Sequence, residues 1–443
     1  MANDVRRKHA SVFDLNGVPR FGEAFPLALQ HVVAMIVGCV TPSIIVAGAG
    51  NLSNDDKVIL IQAALVIAGI STLLQLFPIG KYFGSGLPVI MGVSFAYVPS
   101  MTAIAEGYDI GMILGAQIIG GIIAVIVGLF IKQLRKFFPP LITGTVVFSI
   151  GLSLYPTAVN YMAGGTSSEN YGSWQNWAVA LFTLAVVTIL NHFAKGILKL
   201  ASILVGMIAG YVVAIFAGMV NFSAIGDAGI FYVPAPLHFG LNFDISASVT
   251  IGLLFAINAV QAIGDFSATT IGGLDREPTD QELQGGIICY GVTNILGSFI
   301  GGLPTATYSQ NVGIVATTKV VNRIILGGAA VIILAAGLVP KFSALLTTIP
   351  QCVLGGATIS VFASIAMTGI KLITSQPMTY RNTSVVGLAV AIGMGVTQAS
   401  ASLGAFPSWV TTVFGKSPVV LATLIAIFLN QVLPKDKSET QTK

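Results

Sequence analysis

The stretch Gln310-Asn311-Val312-Gly313, followed by Thr318-Lys319, places two side-chain amides in a region otherwise made of long apolar blocks. Amides at membrane depth have no water to satisfy them, and each unmet polar group there costs several kcal/mol. A chain can keep such a cluster only where it lines a cavity or contacts another polar group. The stretch therefore predicts a polar cavity inside an apolar protein.

The composition of the whole chain sets the class of protein. Hydrophobic residues make up 54% of the 443 residues, charged residues only 9%, and the mean hydropathy is +0.87. A soluble domain could not keep that much apolar surface from water, so the composition predicts an all-α polytopic membrane protein. The three cysteines, Cys39, Cys289 and Cys352, have no metal-ligand spacing, so neither a metal site nor a disulfide is expected.

Apolar blocks between Gly, Pro and charged residues define the expected membrane segments. Two of these blocks, 87–100 and 305–318, are too short to cross a bilayer as complete helices and are rich in Gly, Pro, Ser and Thr. The blocks predict 14 transmembrane segments, at residues 24–44, 57–77, 87–100, 111–131, 140–155, 174–193, 199–220, 247–267, 285–302, 305–318, 323–340, 344–366, 383–399 and 417–433.

The basic residues indicate the orientation of these segments. With both termini cytoplasmic, all of the 21 Lys and Arg residues except Lys57, Lys341 and Lys416 fall on the cytoplasmic side. Such a bias is typical of membrane proteins. No signal peptide is recognised in the polar, basic start of the chain. The sequence therefore predicts a multi-pass protein of the inner or plasma membrane, with cytoplasmic tails at 1–23 and 434–443.

An internal repeat links the two short blocks. Both open alike, with Gly86-Leu87-Pro88 and Gly302-Leu303-Pro304, and they are the third and tenth segments. Equivalent positions in two sets of seven imply that the second set is inverted in the membrane. Paired short, broken segments at corresponding positions indicate the central site of a transporter.

One acidic residue, Asp265, lies well inside an apolar segment, four residues after Gln261 and therefore on the same helix face. A carboxylate there costs about 2.5–3.5 kcal/mol, so it needs a cavity or a partner. Asp265 is either a protonatable group or cation ligand, or an anchor between helices. Gln261 is either a ligand-binding amide or an interhelical one. His31, in the first segment, either packs, orients a binding residue or carries a proton.

The amide stretch matches the motif Gln/Glu-Asn-x-Gly-x4-Thr-Lys/Arg/Gly through Gln310, Asn311, Gly313, Thr318 and Lys319. With this motif, the chain resembles the nucleobase-ascorbate transporter family, which includes xanthine, uric acid and uracil permeases.

Two further stretches extend the likeness. Gln30-His31 is similar to the first-segment Gln-His of that family, and Ser94-Phe95-Ala96-Tyr97 resembles its third segment. The resemblance covers the chain from residue 21 to about residue 433.

The resemblance implies a fold of two inverted seven-segment repeats with short strands in the broken third and tenth segments. It implies a core domain, at 24–138 (segments one to four) and 245–341 (segments eight to eleven). It implies a gate domain, at 139–222 (segments five to seven) and 342–433 (segments twelve to fourteen). A homodimer formed through gate helices is expected on the same ground.

The implied function is secondary active import of a purine nucleobase, xanthine or uric acid first, by proton symport with the core moving against the gate. The resemblance, with the residues above, predicts structural roles for Gly313, Thr318 and Lys319, and proton coupling at Asp265. The expected substrate-binding residues are Gln310, Gln261, Phe95, Ser94, Ser309, Asn311 and His31. No cofactor and no nucleic-acid partner is expected.

Two departures from the family pattern affect the mechanism. Gln261 stands where the family usually has Glu, and Tyr290 stands where Asp or Asn is common. A carboxamide hydrogen-bonds a base but does not titrate. Either Asp265 takes over proton coupling, or transport is coupled to another cation such as sodium, or it is facilitative.

Three other functions compete with purine import. A uracil or other nucleobase permease without proton coupling has the same architecture, as does an anion carrier of the sulfate or bicarbonate type. The anion carrier would favour basic residues at mid-membrane, and none lies there apart from Lys319 at the inner end of the motif. An intramembrane enzyme is excluded, because there is no HExxH motif and no second mid-segment Asp.

Overall fold

The computed structural model describes residues 12–134, 139–166, 168–222, 225–226, 228–415 and 417–434. The basic residues Arg6 to Lys8, Lys416 and most of the predicted C-terminal tail lie outside these ranges. Within the described ranges the protein is mostly helical.

Helices and two short strands follow each other along the chain. They are α1 (Phe21–Ala49), α2 (Asn54–Leu76), β1 (Met91–Val93), a 3-10 turn (Phe95–Tyr97), α3 (Val98–Gly107), α4 (Ile110–Leu129), α5 (Ile131–Leu134), α6 (Pro140–Met162), α7 (Trp174–Phe193), α8 (Ile197–Leu200), α9 (Ser202–Phe216), α10 (Ile245–Leu274), α11 (Asp280–Phe299), β2 (Thr305–Thr307), α12 (Ser309–Thr318), α13 (Arg323–Gly337), α14 (Pro340–Thr347), α15 (Gln351–Thr374), α16 (Tyr380–Gln398), a second 3-10 turn (Ser400–Leu403), α17 (Ser408–Gly415) and α18 (Pro418–Val432).

Seven helices of the described chain are long and apolar enough to cross a membrane, or eight if α13 and α14 form one span with its 81° bend. A helix or a broken segment occupies the place of each predicted apolar block. The count of 14 segments in two inverted repeats stays a prediction, because several of these elements are too short to meet the length criterion alone.

The twelfth segment was expected at 344–366, but its helix, α15, runs from Gln351 to Thr374. Pro340 and Pro350 explain the difference. Proline lacks a backbone N–H and disfavours helix in the residue before it, so the chain makes the separate short helix α14 between the two prolines. The sequence boundary was wrong here by about two turns of helix.

The third and tenth segments are broken as predicted, and each contains a short strand followed by a ten-residue helix. β1 and β2 pair antiparallel, with Met91 opposite Thr307 and Val93 opposite Thr305. Two further backbone bonds extend the pair at its ends: the Ser94 N–H donates to the Pro304 carbonyl at 3.0 Å, and the Tyr308 N–H donates to the Ile90 carbonyl at 2.9 Å. Backbone groups freed by the helix breaks thus satisfy each other inside the protein, as a low-dielectric surrounding requires.

The helices pack in two sets. α1 and α2 pack against α13, and α4 packs against α10 and α11, with α3 held between α1 and α4. In the other set, α6 contacts mainly α15 and α18, and α7 contacts α9 and α15. Glycines bring α6 and α15 close, since a Cβ on Gly151 would lie 2.5 Å from the Ala366 nitrogen. This grouping resembles the expected core and gate, whose boundaries stay a prediction.

An N-terminal arm at residues 12–17 is hydrogen-bonded to the start of α13. The Asn322 amide donates to the carbonyls of Asp14 (2.8 Å) and Gly17 (2.7 Å). The Arg323 Nε donates to the Gly86 carbonyl at 2.8 Å, and its Nη1 donates to Asn16 Oδ1 at 2.9 Å. The arm therefore holds the start of α13, and Arg323 links that helix start to the beginning of the third segment.

Candidate functional site

A cavity of about 210 Å³ lies where the two broken segments meet helices of the second set. One side of its wall is formed by the 3-10 turn Phe95–Tyr97, α10, β2 and α12. The other side is formed by α6 and α15. Its lining residues are Ser94, Phe95, Ala96, Val147, Ile150, Gln261, Thr307, Tyr308, Ser309, Gln310, Ser364, Ile365 and Thr368. Among these described residues there is no Lys, Arg, Asp or Glu, so the wall itself carries no formal charge.

Two carboxamides converge on this cavity from different elements. Gln261 extends from the middle of α10, and Gln310 from the first turn of α12. The Gln261 Oε1 is buried and, within the described chain, has no hydrogen-bond partner. The Gln310 amide likewise makes no hydrogen bond to a described residue. Two amides with unused hydrogen-bonding capacity therefore face the same space, where a polar ligand could satisfy them.

Asp265 is buried behind the cavity wall rather than in it. Its Oδ1 accepts a hydrogen bond from the Ser309 hydroxyl at 2.9 Å, and its Oδ2 accepts one from the Thr307 hydroxyl at 2.5 Å. Both donors line the cavity. The carboxylate is thus one hydrogen bond away from the ligand space and ties α10 to the broken tenth segment.

Phe95 and Ser94 lie at the cavity, as the sequence predicts. The Phe95 ring meets the Phe362 ring edge-on, with 5.1 Å between centroids and 75° between planes. The Ser94 hydroxyl accepts the Ala96 N–H at 3.2 Å and so begins the 3-10 turn that carries Phe95. The turn therefore fixes an aromatic face beside the two carboxamides.

Asn311 and His31 lie together but outside the cavity wall. The Asn311 Nδ2 lies 3.1 Å from the His31 Nδ1 and donates to the His31 carbonyl at 3.2 Å, and both side chains are buried. The geometry joins α1 to α12 and gives neither residue a direct place in the ligand space. It supports the orienting alternative for His31, whereas direct contact of either residue with a ligand stays a prediction.

The remaining motif residues end the tenth segment. The Thr318 hydroxyl donates to the Ile314 carbonyl at 2.7 Å. Lys319 is the left-handed C-cap of α12, with φ of 58°, and its Nζ lies 2.6 Å from Asp275 Oδ1. Apart from its own helix and chain neighbours, no described atom would lie within 4 Å of a Cβ at Gly313, so open space lies beside it.

Sequence reasoning missed the side of the cavity formed by α6 and α15. Val147 and Ile150 are ordinary apolar residues whose positions depend on tertiary packing. Ser364 and Thr368 gave a usable signal, because two hydroxyls four residues apart lie on one face of an apolar helix. Thr307 was missed because a strand of three residues has too little pattern to show which side chain faces a ligand.

Tyr290, the second departure from the family pattern, is fully buried and does not reach the cavity. Its hydroxyl forms a short hydrogen bond with that of Tyr97, and Phe255 stacks on its ring at 5.4 Å. The pair holds α11 against the 3-10 turn that carries Phe95. Tyr290 therefore supports the site from behind.

A sequence profile described as Permease family matches residues 22–402 of this chain, which is most of its length. The chain belongs to the nucleobase-ascorbate transporter family. Members of this family are permeases, so the chain is a multi-pass membrane protein and not an enzyme.

Curated members of the nucleobase-ascorbate transporter family match almost the whole chain. It is 34% identical to the xanthine permease of Bacillus subtilis, over 93% of this chain and 94% of that protein. It is 36% identical to the uric acid permease PucK of Bacillus subtilis, over 91% and 94%. It is 31% identical to the xanthine permease XanQ of Escherichia coli K12, over 96% and 94%.

Two anion transporters of known structure are similar to this family member at low sequence identity. The transmembrane domain of the cyanobacterial bicarbonate transporter BicA matches with a TM-score of 0.58 at 15% identity, over 92% of this chain and 97% of that one. SLC26A9 matches with a TM-score of 0.59 at 10% identity, over 93% and 66%. At such identities the likeness shows a shared fold.

Proposed function

We propose that this chain is a secondary active transporter that imports a purine nucleobase, with xanthine or uric acid as its first substrates. One observation carries the proposal. Gln261 and Gln310 face one small cavity beside Phe95, and the Gln261 carbonyl has no partner among the described residues.

The chemistry of the cavity suits an oxidised purine. Each carboxamide offers one acceptor oxygen and two N–H donors, which complement a base edge that carries adjacent C=O and N–H groups. The Phe95 ring adds a flat apolar face for stacking on a heterocycle. The xanthine and uric acid permeases among the relatives support this choice of substrate.

Asp265 is the proposed coupling group. Its two hydroxyl donors, Thr307 and Ser309, reach it from the cavity wall. When Asp265 takes up a proton, one carboxyl oxygen becomes a donor, and the hydroxyl that donates to that oxygen must reorient. Because both hydroxyls line the ligand space, proton binding and base binding would be linked through them. Because Gln261 does not titrate, we assign the proton to Asp265.

The proposed transport step is movement of a core (α1 to α4 with α10 to α13) against a gate (α6, α7, α9, α15, α16 and α18). The cavity supports this idea because its wall is shared between the two sets of helices. We place the chain in the cell membrane with both termini cytoplasmic, and propose that two copies pair through gate helices.

An anion carrier is the second candidate, and one observation favours it. The first turn of α12, with its free backbone N–H groups, lies at the cavity through Ser309 and Gln310, and a helix N-terminus attracts negative charge. The lining residues described here include no basic side chain to assist. Counterflow of labelled sulfate against xanthine separates the two candidates.

The direct test is competition by a panel of unlabelled bases against labelled xanthine in cells that express the chain. Xanthine and uric acid are expected to compete best, uracil weakly, and sulfate not at all. Saturable sulfate uptake with no xanthine uptake would refute purine transport. Cells that lack the chain provide the background.

A further inference from the structure

A second cavity, of about 290 Å³, lies at the face of the protein where α1, α3 and α6 end and α15 begins. Polar side chains from three helices surround it. They include Glu106 of α3, Thr157 and Asn160 of α6, and Gln351 of α15.

The two cavities share the walls formed by α6 and α15. Along α6, Thr157 of the second cavity follows Ile150 of the central one by about 10 Å. Along α15, Gln351 precedes Ser364 by about 20 Å. Phe362 lies between them on α15, and its ring meets Phe95 of the central cavity. An aromatic contact thus lies at the edge of the central cavity, on the interface that the two cavities share.

The second cavity has a defined wall. A Cβ on Gly165, where φ is +87°, would lie 1.3 Å from Gln351 Oε1, so glycine is required for this amide to keep its place. The Tyr171 hydroxyl donates to Asn160 Oδ1 at 2.8 Å, and the Asn176 amide donates to the Ala163 carbonyl at 3.0 Å. These bonds hold the connection between α6 and α7 over the cavity.

Glu106 is the charged side chain of this wall. It is exposed, and within the described residues it has no ion-pair or hydrogen-bond partner. Its carboxylate can accept N–H groups of a heterocycle, while Gln351 can donate to ring carbonyls. The same carboxylate repels an anion. Urate is anionic at neutral pH, whereas xanthine is largely uncharged.

We propose that the second cavity is an access site for the base, and that Glu106 there favours uncharged purines over anionic ones. The inference rests on the proposed function, and on the predicted orientation it places the site on the external side. The base would wait in the second cavity until the Phe95–Phe362 contact opens.

The test compares Glu106→Gln with the original chain. The readout is inhibition of labelled xanthine uptake by unlabelled urate, alongside the xanthine KM. A charge about 6 Å from an anion in a partly hydrated site changes relative affinity by about 3- to 10-fold. In Glu106→Gln, the ratio of the urate inhibition constant to the xanthine KM should therefore fall about 3- to 10-fold. This difference from the original chain should become smaller as the salt concentration is raised.

Three variants control the comparison, each at matched amounts in the membrane. Glu106→Ala removes the charge with a different side chain and should repeat the gain. Glu106→Asp keeps the charge and should behave as the original chain does. Glu169→Gln removes an exposed acid outside the cavity wall and should leave the urate-to-xanthine ratio unchanged.

The outcomes separate this inference from the proposed function. If the original chain takes up xanthine but Glu106→Gln and Glu106→Ala leave the ratio unchanged, the access site is refuted and purine transport stands. If Glu169→Gln shifts the ratio equally, general surface charge is responsible and the access site is again refuted. A chain that takes up no purine overturns both.

Discussion

The unpartnered carbonyl of Gln261 allows a prediction in which binding and stability change in opposite directions. We expect Gln261→Met to weaken xanthine binding without destabilising the empty protein. Methionine has similar length but no hydrogen-bonding amide, and the Gln261 Oε1 has no described partner to lose. In the ligand-bound state, by contrast, the base would lose its acceptor.

The magnitude follows from the cost of an unmade hydrogen bond. Loss of the contact to a bound base is expected to cost about 1–2 kcal/mol, which is about a 5- to 30-fold rise in the xanthine KM. Removal of a buried orphan acceptor is expected to leave the free energy of unfolding unchanged or to raise it by up to about 1 kcal/mol. Uptake of labelled xanthine and thermal melting of purified protein in detergent measure the two quantities.

Gln75→Met is the matched control, because Gln75 is buried and both ends of its amide are hydrogen-bonded. Its Nε2 donates to the Gly286 carbonyl at 2.7 Å, and its Oε1 accepts the Ser85 N–H at 3.1 Å. Its loss leaves the buried Ser85 N–H unpaired and removes a bond to the Gly286 carbonyl, which should cost about 1–3 kcal/mol of stability. Should Gln261→Met melt as early as Gln75→Met, or keep its xanthine KM, the assigned role of Gln261 would be refuted.

Three further substitutions test other parts of the site. Gln310→Glu removes two amide donors and is expected to raise the xanthine KM about tenfold and to improve competition by uracil; an unchanged KM in the uptake assay would exclude ligand contact. Asp265→Asn cannot take up a proton, so accumulation of xanthine against a gradient should stop while exchange in preloaded vesicles continues; persistent accumulation would place coupling elsewhere. Tyr290→Phe removes the hydroxyl contact with Tyr97, so melting should report a loss of about 1 kcal/mol with little change in the xanthine KM, and a large KM change would show that Tyr290 acts on the ligand.

The broken segments could be predicted from sequence because their composition differs from that of the long apolar blocks around them. Gly, Pro and polar side chains in a short apolar block leave backbone groups that only a protein interior can satisfy. The matching Gly-Leu-Pro openings placed both breaks, and β1 and β2 occupy them. The convergence of Gln261 and Gln310 followed in the same way, because amides at that depth need a shared polar space.

Other parts of the site depend on contacts that no local pattern encodes. Asp265 and Gln261 share a helix face, yet two hydroxyls hold the acid behind the wall while the amide reaches the cavity. The pairing of Tyr97 with Tyr290, and the bridge from Arg323 to Gly86, join residues that are distant in sequence. The twelfth segment was misplaced because Pro340 and Pro350 separate the short helix α14 from α15.

The strand pair between the two broken segments has a consequence for mutational scanning. The hydrogen bonds that join Ser94 to Pro304 and Tyr308 to Ile90 run between main-chain atoms. Alanine replacement leaves such bonds in place and removes only side-chain contacts, such as the hydrogen bond from the Tyr308 hydroxyl to the Val93 carbonyl. A side-chain scan would therefore measure those contacts and not the main-chain pairing. Only a change to the backbone itself would show how far transport depends on this strand pair. An ester in place of the Tyr308 amide, which removes the N–H that bonds to the Ile90 carbonyl, is such a change.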